Sequence, residues 1–170
     1  MNRAILAAIM ASGVGLVVVP AVFDPKPRLV WNASASAPTG LYWIEPANDL
    51  AVGDLVLVQP TPDLAALLTA RRYLAPGVPL LKHVAAIEGQ TVCRNDDAVV
   101  IAGEVVATAR SMDRAGRPLP CWQGCVQLGP DAVFVLNRDA PDSLDGRYFG
   151  PTPVGSVRGR AIPLWTSTER

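Results

Sequence analysis

The sequence predicts a mainly β domain of antiparallel strands carried behind one N-terminal apolar helix. Three observations lead there. Short runs rich in Val, Ile, Leu and Trp, punctuated by Gly, Pro and Asp, recur between residues 41 and 164, with the lengths and spacings of strands. Twenty consecutive residues, 4–23, carry no charge. With 16 Pro and 14 Gly in 170 residues, long helical arrays are disfavoured, because each proline removes a backbone donor and each glycine raises the entropic cost of helix.

The apolar run comes first. A 20-residue helix rises roughly 30 Å, the thickness of a bilayer's hydrocarbon core, so 4–23 is expected to be a transmembrane helix. A cleaved signal peptide is the rival, since Arg3 gives it a positive start. Such peptides have an apolar region of only about 7–15 residues, closely followed by a small-x-small site. Here Asp24-Pro25-Lys26-Pro27-Arg28 follows instead. Residues 1–28 therefore read as anchor and exit segment, and 29–170 as one domain with its own core. Arg3 on one side and Lys26 and Arg28 on the other specify little about orientation.

Within the domain, strands are expected at 41–44, 55–58, 80–87, 99–101, 104–107, 132–136 and 157–164. Those at 99–101 and 104–107 form a hairpin around Ala102-Gly103. A short helical insertion is expected at 64–75, started by Thr61-Pro62 and followed by Gly77. Residues 108–124 lack periodicity and read as a loop.

Charge narrows the function. Fifteen basic and 15 acidic residues cancel, which argues against a phosphate-tracking nucleic-acid binder. Groups able to move protons near neutral pH are scarce: one histidine, His83, and two lysines, Lys26 and Lys82. The three cysteines, Cys93, Cys121 and Cys125, allow one intramolecular disulfide and leave one thiol over.

A serine is a weak nucleophile unless a base within hydrogen-bond reach takes its proton. Ser34 and Ser36 stand among small residues in Asn32-Ala33-Ser34-Ala35-Ser36-Ala37-Pro38-Thr39-Gly40, where a substrate backbone has room. Lys82 lies in an apolar strand, Leu80-Leu81-Lys82-His83-Val84, where burial lowers the lysine pKa toward that of a general base. Blander readings compete: turn serines, and a lysine that snorkels to solvent. A Ser-His-Asp triad would have to use His83, which faces away from Lys82 on one strand. A zinc site from His83, Cys93, Cys121 and Cys125 fits known spacings loosely.

Combination and order decide between them. Ser36-Ala37-Pro38-Thr39-Gly40-Leu41-Tyr42, then Leu81-Lys82-His83-Val84-Ala85-Ala86-Ile87-Glu88-Gly89, then Asn137-Arg138-Asp139 with Ser143-Leu144-Asp145-Gly146-Arg147, and finally Gly159-Arg160-Ala161 occur in this sequence behind an anchor. These boxes resemble the type I signal peptidase superfamily of serine-lysine peptidases. They are most similar to its conjugal-transfer branch, the TraF-type pilin-processing peptidases, whose nucleophile motif reads Ser-x-Pro-x-Gly-x-Tyr. The broader family's Ser-Met-x-Pro pattern fits less well.

The resemblance implies a signal-peptidase-like catalytic domain of coiled antiparallel sheets. It implies Ser36 as nucleophile, Lys82 as general base, and the Ser36 N–H with the Ser34 hydroxyl as oxyanion donors. Ser143 would orient the lysine, and Asp145 and Arg147 would form a supporting pair of catalytic or structural role. No metal or organic cofactor is implied. It also implies a Cys93–Cys125 disulfide, with Cys121–Cys125 as the local alternative. The implied setting is the bacterial inner membrane, single-pass, with the domain in the periplasm. The implied partners are the lipid bilayer and a membrane-inserted pilin or other exported precursor, with no nucleic acid. Tryptophans 31, 43, 122 and 165 are candidates for either the membrane interface or the core. A general signal peptidase and an inert membrane-tethered scaffold are the alternative functions.

Overall fold

The computed structural model describes residues 2–23 and 28–167, without the side chains of residues 17 and 19–23. The exit segment expected at 24–27 lies outside the described residues. The apolar run forms helix α1 (Arg3–Phe23). Its described large side chains, among them Leu6, Ile9, Met10 and Leu16, are exposed. Among the described residues, however, no helix is long and apolar enough to cross a membrane. The side chains that complete the uncharged run lie outside that set, so the described part falls short of the expected span.

Eleven strands follow among the described residues: β1 (Leu29–Asn32), β2 (Thr39–Glu45), β3 (Leu55–Val58), β4 (Leu80–Ala86), β5 (Thr91–Asn95), β6 (Ala98–Ile101), β7 (Glu104–Thr108), β8 (Gly124–Gln127), β9 (Ala132–Val135), β10 (Thr152–Pro153) and β11 (Val157–Ser167). They build a seven-stranded sheet, ordered β1-β2-β11-β3-β4-β9-β10, and a four-stranded sheet, β7-β6-β5-β8. Their pairings are antiparallel throughout. The mainly β reading holds, and the expected hairpin is β6–β7, turned by Ala102 and Gly103, both at positive φ.

The central strands β3, β4 and β9 are buried on both faces, which is why they read as continuous apolar runs. One face gathers Val56, Val58, Leu80, Val84 and Val135 under Leu68 of helix α2 (Pro62–Ala70). The other packs Leu57 and Leu81 against Ala37, Tyr42 and Ile44. A third cluster joins Val92, Val99 and Ile101 of the small sheet to Phe134 and Leu136. Burial of this kind contributes about 25 cal/mol per Å² of apolar surface.

The structure adds strands β1, β5, β8 and β10 to those expected, and three of the differences from the sequence reading have clear physical causes. Helix α2 starts at Pro62 as expected but stops at Ala70 instead of continuing to 75. Arg72 takes a positive φ, and Tyr73 turns aside to bond its hydroxyl to Asp113 beneath the Arg117 guanidinium. β8 carries no hydrophobic signal because all four of its residues are exposed; pairing with β5 makes it a strand. The short helix α3 (Gly146–Phe149) is too brief for periodicity and rests on its cap, the Asp145 side chain accepting from the Arg147 N–H.

Candidate active site

Residues 33–38 link β1 to β2, and Asn32 gives that loop its shape. Its Nδ2 donates to the carbonyls of Ser34, Ala37 and Pro38 at 3.0, 3.0 and 3.1 Å. Its Oδ1 accepts the Ser34 N–H and the Ser34 hydroxyl, both at 3.0 Å. The Tyr42 hydroxyl donates to the Pro38 carbonyl at 2.6 Å, and burial pushes that phenol's pKa up. Gly40 closes the turn with φ of 151°, where a Cβ would stand 2.1 Å from the Trp165 carbonyl oxygen. The spacing Ser36-x-Pro38-x-Gly40-x-Tyr42 is thus a mechanical unit: a proline carbonyl to be tied, a glycine to let β11 pass, and a tyrosine to tie the knot.

Lys82 lies opposite Val56, on the same face of β4 as Leu80 and Val84. Only 3% of it is exposed. Burial disfavours the ammonium and lowers its pKa from 10.5 to about 8; Asp145 opposes that fall and Arg147 adds to it. Its Nζ donates to Ser143 Oγ at 2.7 Å and stands 3.5 Å from Ser36 Oγ. Ser34 Oγ lies 3.1 Å from Ser36 Oγ. Such resting contacts tighten when substrate fills the site.

Ser143 is delivered by a loop built around a buried ion pair. Arg147 Nε donates to Asp145 Oδ1 at 2.8 Å, with both side chains at or below 2% exposure. The remaining Arg147 donors reach the carbonyls of Asn137, Ala140 and Pro141. Pairing and saturation of this sort are what a charge needs in order to be buried at all.

The cleft beside these groups has a volume of about 700 Å³, with Leu68, Leu74 and Leu80 on its floor and Arg110 and Arg114 at its rim. Both arginines pair with Asp142, the residue before Ser143. A second cavity of about 260 Å³ also borders Ser36 and is lined by His83, Asn137 and Arg138.

The structure brings Ser34, Ser36, Lys82 and Ser143 together. Asp145 and Arg147 lie behind them and make no hydrogen bond to Ser36 or Lys82 among the described residues. Cys93 and Cys125 are joined by a disulfide across β5 and β8, in the other sheet, and Cys121 is free and exposed. Neither the triad nor the zinc alternative is assembled among the described residues: the His83 ring faces Asn137 Oδ1 at 3.2 Å and makes no hydrogen bond to Ser36, and two of the four zinc candidates are bonded to each other. Sequence reasoning missed two residues. Asn32 is an ordinary strand-end residue by pattern. Asn137 belongs to a quoted box, but nothing in its sequence context reveals that its amide reaches Ser36.

A hydroxyl facing a buried amine across an open cleft, on a curled antiparallel scaffold, is the equipment of a serine peptidase. The family match agrees. Residues 1–165 match the family described as signal peptidase, peptidase S26, and the chain belongs to that family. It is 33% identical over 146 residues to a plasmid transfer protein TraF of Escherichia coli, covering 79% of this chain and 81% of that one. It is 36% identical over 146 residues, with the same coverage, to a conjugal transfer protein TraF of Agrobacterium fabrum (strain C58 / ATCC 33970). A crystal structure of a signal peptidase I from Enterococcus faecalis V583 aligns with TM-score 0.39 and 20% identity, over 66% of this chain and 97% of that one.

Proposed function

We propose that this chain is a membrane-anchored serine endopeptidase in which Ser36 is the nucleophile and Lys82 the general base. Its substrate is an exported precursor, the pilin subunit precursor of a conjugative transfer system. One observation carries the reading: a buried lysine amine, its pKa drawn down to about 8, stands 3.5 Å from a serine hydroxyl in a cleft.

The chemistry follows from that contact. A neutral Lys82 spends one N–H on Ser143 and keeps its lone pair for the Ser36 proton. Ser36 Oγ attacks the scissile carbonyl, and Lys82, now an ammonium, returns the proton to the leaving amine. The oxyanion meets the Ser36 N–H and the Ser34 hydroxyl, which turns from Asn32 to reach it. One such donor is worth about 10²–10³ in rate.

The exposed apolar side chains of α1 support attachment to a bilayer. So do exposed Trp31, Trp43 and Trp165, with Leu29 and Leu164 exposed on the same strands. Trp31 and Trp165 stack at 5.7 Å, and exposed tryptophans of this kind suit the headgroup layer. Trp122 belongs to the core instead, edge-on to Phe134. The domain then works at the periplasmic face, about 13 residues from the helix end to Ser36, where a membrane-inserted precursor presents its cut. The names of the TraF relatives support a role in conjugation, and the neutral net charge argues against nucleic acid as a partner.

The test is to reconstitute the full chain in vesicles with the pilin precursor of the same transfer system and weigh the products. Wild type is expected to cleave, whereas Ser36→Ala and Lys82→Ala stay folded and do not. A product lighter by one water than the linear form would mean that an amine of the same chain resolves the acyl-enzyme. Cleavage that survives both substitutions refutes the reading and favours a scaffold.

A further inference from the structure

We propose that Asn137 is a positioning residue of this reaction, its amide clamping the nucleophile loop to the strand on both sides of Lys82 and so setting the Ser36–Lys82 distance. The inference rests on the Ser36/Lys82 reading above.

An asparagine amide offers two N–H donors and two acceptor lone pairs; here both donors and one lone pair are used, and the second lone pair faces a histidine ring nitrogen. Nδ2 donates to the Ser36 carbonyl at 2.6 Å and to the Leu81 carbonyl at 3.1 Å. Oδ1 accepts the His83 backbone N–H at 3.1 Å and faces His83 Nδ1 at 3.2 Å. The Leu81 carbonyl and the His83 N–H are the backbone groups flanking Lys82. The ladder from β9 runs out just here, at the Leu136 N–H to His83 carbonyl bond of 2.8 Å. The Asn137 side chain therefore acts as one more rung of the sheet, pinning β4 where its lysine leaves. Its second donor reaches across to the loop.

Among the described residues no stronger directional tie joins that loop to β4. Asn32 and Tyr42 fix its internal shape and tie it to β1 and β2, not to the strand that carries Lys82. Ala37 packs against Leu81 without directional preference. Among the described residues, the one direct hydrogen bond between residues 33–38 and β4 is the 3.5 Å Ser36–Lys82 contact itself. The backbone of Asn137 is fixed in turn, its N–H donating to Asp145 Oδ2 at 3.0 Å and its carbonyl accepting from Arg147 at 2.8 Å. The buried ion pair thus acts on the dyad through Asn137 and through Ser143. At 2% exposure, Asn137 has no solvent to replace a lost partner.

The test uses the reconstituted full chain and the same precursor, with wild type, Asn137→Ala, Asn137→Ser and a core control remote from the site, Val99→Ala. Asn137→Ala is expected to lower kcat about 100-fold, the cost of misplacing a reacting group by about 1 Å, with KM changed less than about threefold. Asn137→Ser, which keeps one donor, falls between. The acid limb of kcat/KM stays where Lys82 puts it, because the clamp sets distance and not charge. Val99→Ala melts earlier yet turns over normally per folded molecule. A second readout needs no turnover: in crystals of Asn137→Ala or Asn137→Ser the Ser36 Oγ to Lys82 Nζ separation opens beyond 3.5 Å. A kcat loss no larger than that of Val99→Ala, or an unchanged separation, overturns the clamp and leaves the dyad standing. A wild type that cleaves nothing sinks the dyad reading, and the separation still decides the clamp.

Discussion

Lys82 shares its sheet face with Leu80, Val56 and Val84, and burial there lowers its pKa from 10.5 to about 8. A general base works only when deprotonated. At pH 7 a lysine of pKa 8 is neutral in about one molecule in ten, against about one in three thousand for an unperturbed one. If Lys82 is the base as proposed, burial is thus worth about 300-fold in the neutral, proton-accepting fraction at pH 7. As pH rises from 7 to 9, kcat/KM is expected to climb about tenfold and flatten, with its limb near 8. Initial rates of precursor cleavage across pH 6 to 9.5 in vesicles would read this directly. A profile flat through that range would refute lysine as the base. A slope still rising at pH 9.5 would refute its desolvation.

The same shift must appear in stability, with a definite sign. Below pH 8 both folded and unfolded chains hold the proton, and the folded state bears the full cost of a buried ammonium. Between 8 and 10.5 the unfolded chain binds more protons than the folded one, so stability rises with pH, by about 3 kcal/mol in all. Lys82→Met removes this dependence. It is expected to be inactive yet more stable than wild type at pH 7, with the two converging toward pH 10.5 in denaturant titrations. A wild type that loses stability across that window relative to Lys82→Met would contradict the burial argument.

Three further outcomes are expected. Gly40→Ala drives a methyl into the Trp165 carbonyl, 2.1 Å from the built Cβ, at a φ that side chains avoid, and should cost more than about 3 kcal/mol in thermal unfolding. Arg147→Ala leaves the fully buried Asp145 carboxylate unpaired and should cost about 3–5 kcal/mol, part of which Asp145→Asn in the same chain restores; a loss under about 1 kcal/mol would mean the pair is solvated. Reducing Cys93–Cys125, 32 residues apart, frees loop entropy and should lower stability by about 3–4 kcal/mol. It should leave kcat unchanged at 25 °C, since the bridge lies in the sheet that does not carry Lys82, and a fall in kcat of the folded reduced protein would place it in the site.

What could be read from the sequence divides along a physical line. β3 and β4 were legible because burial on both faces writes an unbroken apolar run, and Lys82 stood out as the exception within one. The Ser36 to Tyr42 turn was legible because proline, glycine and tyrosine each have one local job there. Helix α2 was located but overrun, since its end is set by Tyr73 reaching Asp113, 40 residues away, which no local pattern records. β8 is a strand by partnership alone. Asn137 was invisible as a functional residue for the same reason: its bonds cross 101 residues to Ser36 and 56 to Leu81.

The polar groups of the site are packed as tightly as its apolar core. Lys82, Asn137, Ser143, Asp145 and Arg147 are each 3% exposed or less. Such a cluster folds only if nearly every donor and acceptor is met, because one unmet buried group costs about 1–3 kcal/mol. Asp145 accepts from the Asn137 N–H, the Arg147 N–H and the Arg147 guanidinium, so the pair offers Lys82 charge without a hydrogen bond. Its two charges push the lysine in opposite directions and leave burial as the dominant effect. A carboxylate bonded directly to Nζ would have held the proton on the amine and cost the base its neutral form. Satisfying Lys82 with a neutral partner, Ser143, and keeping the ion pair behind Asn137 lets the site be both buried and able to accept a proton.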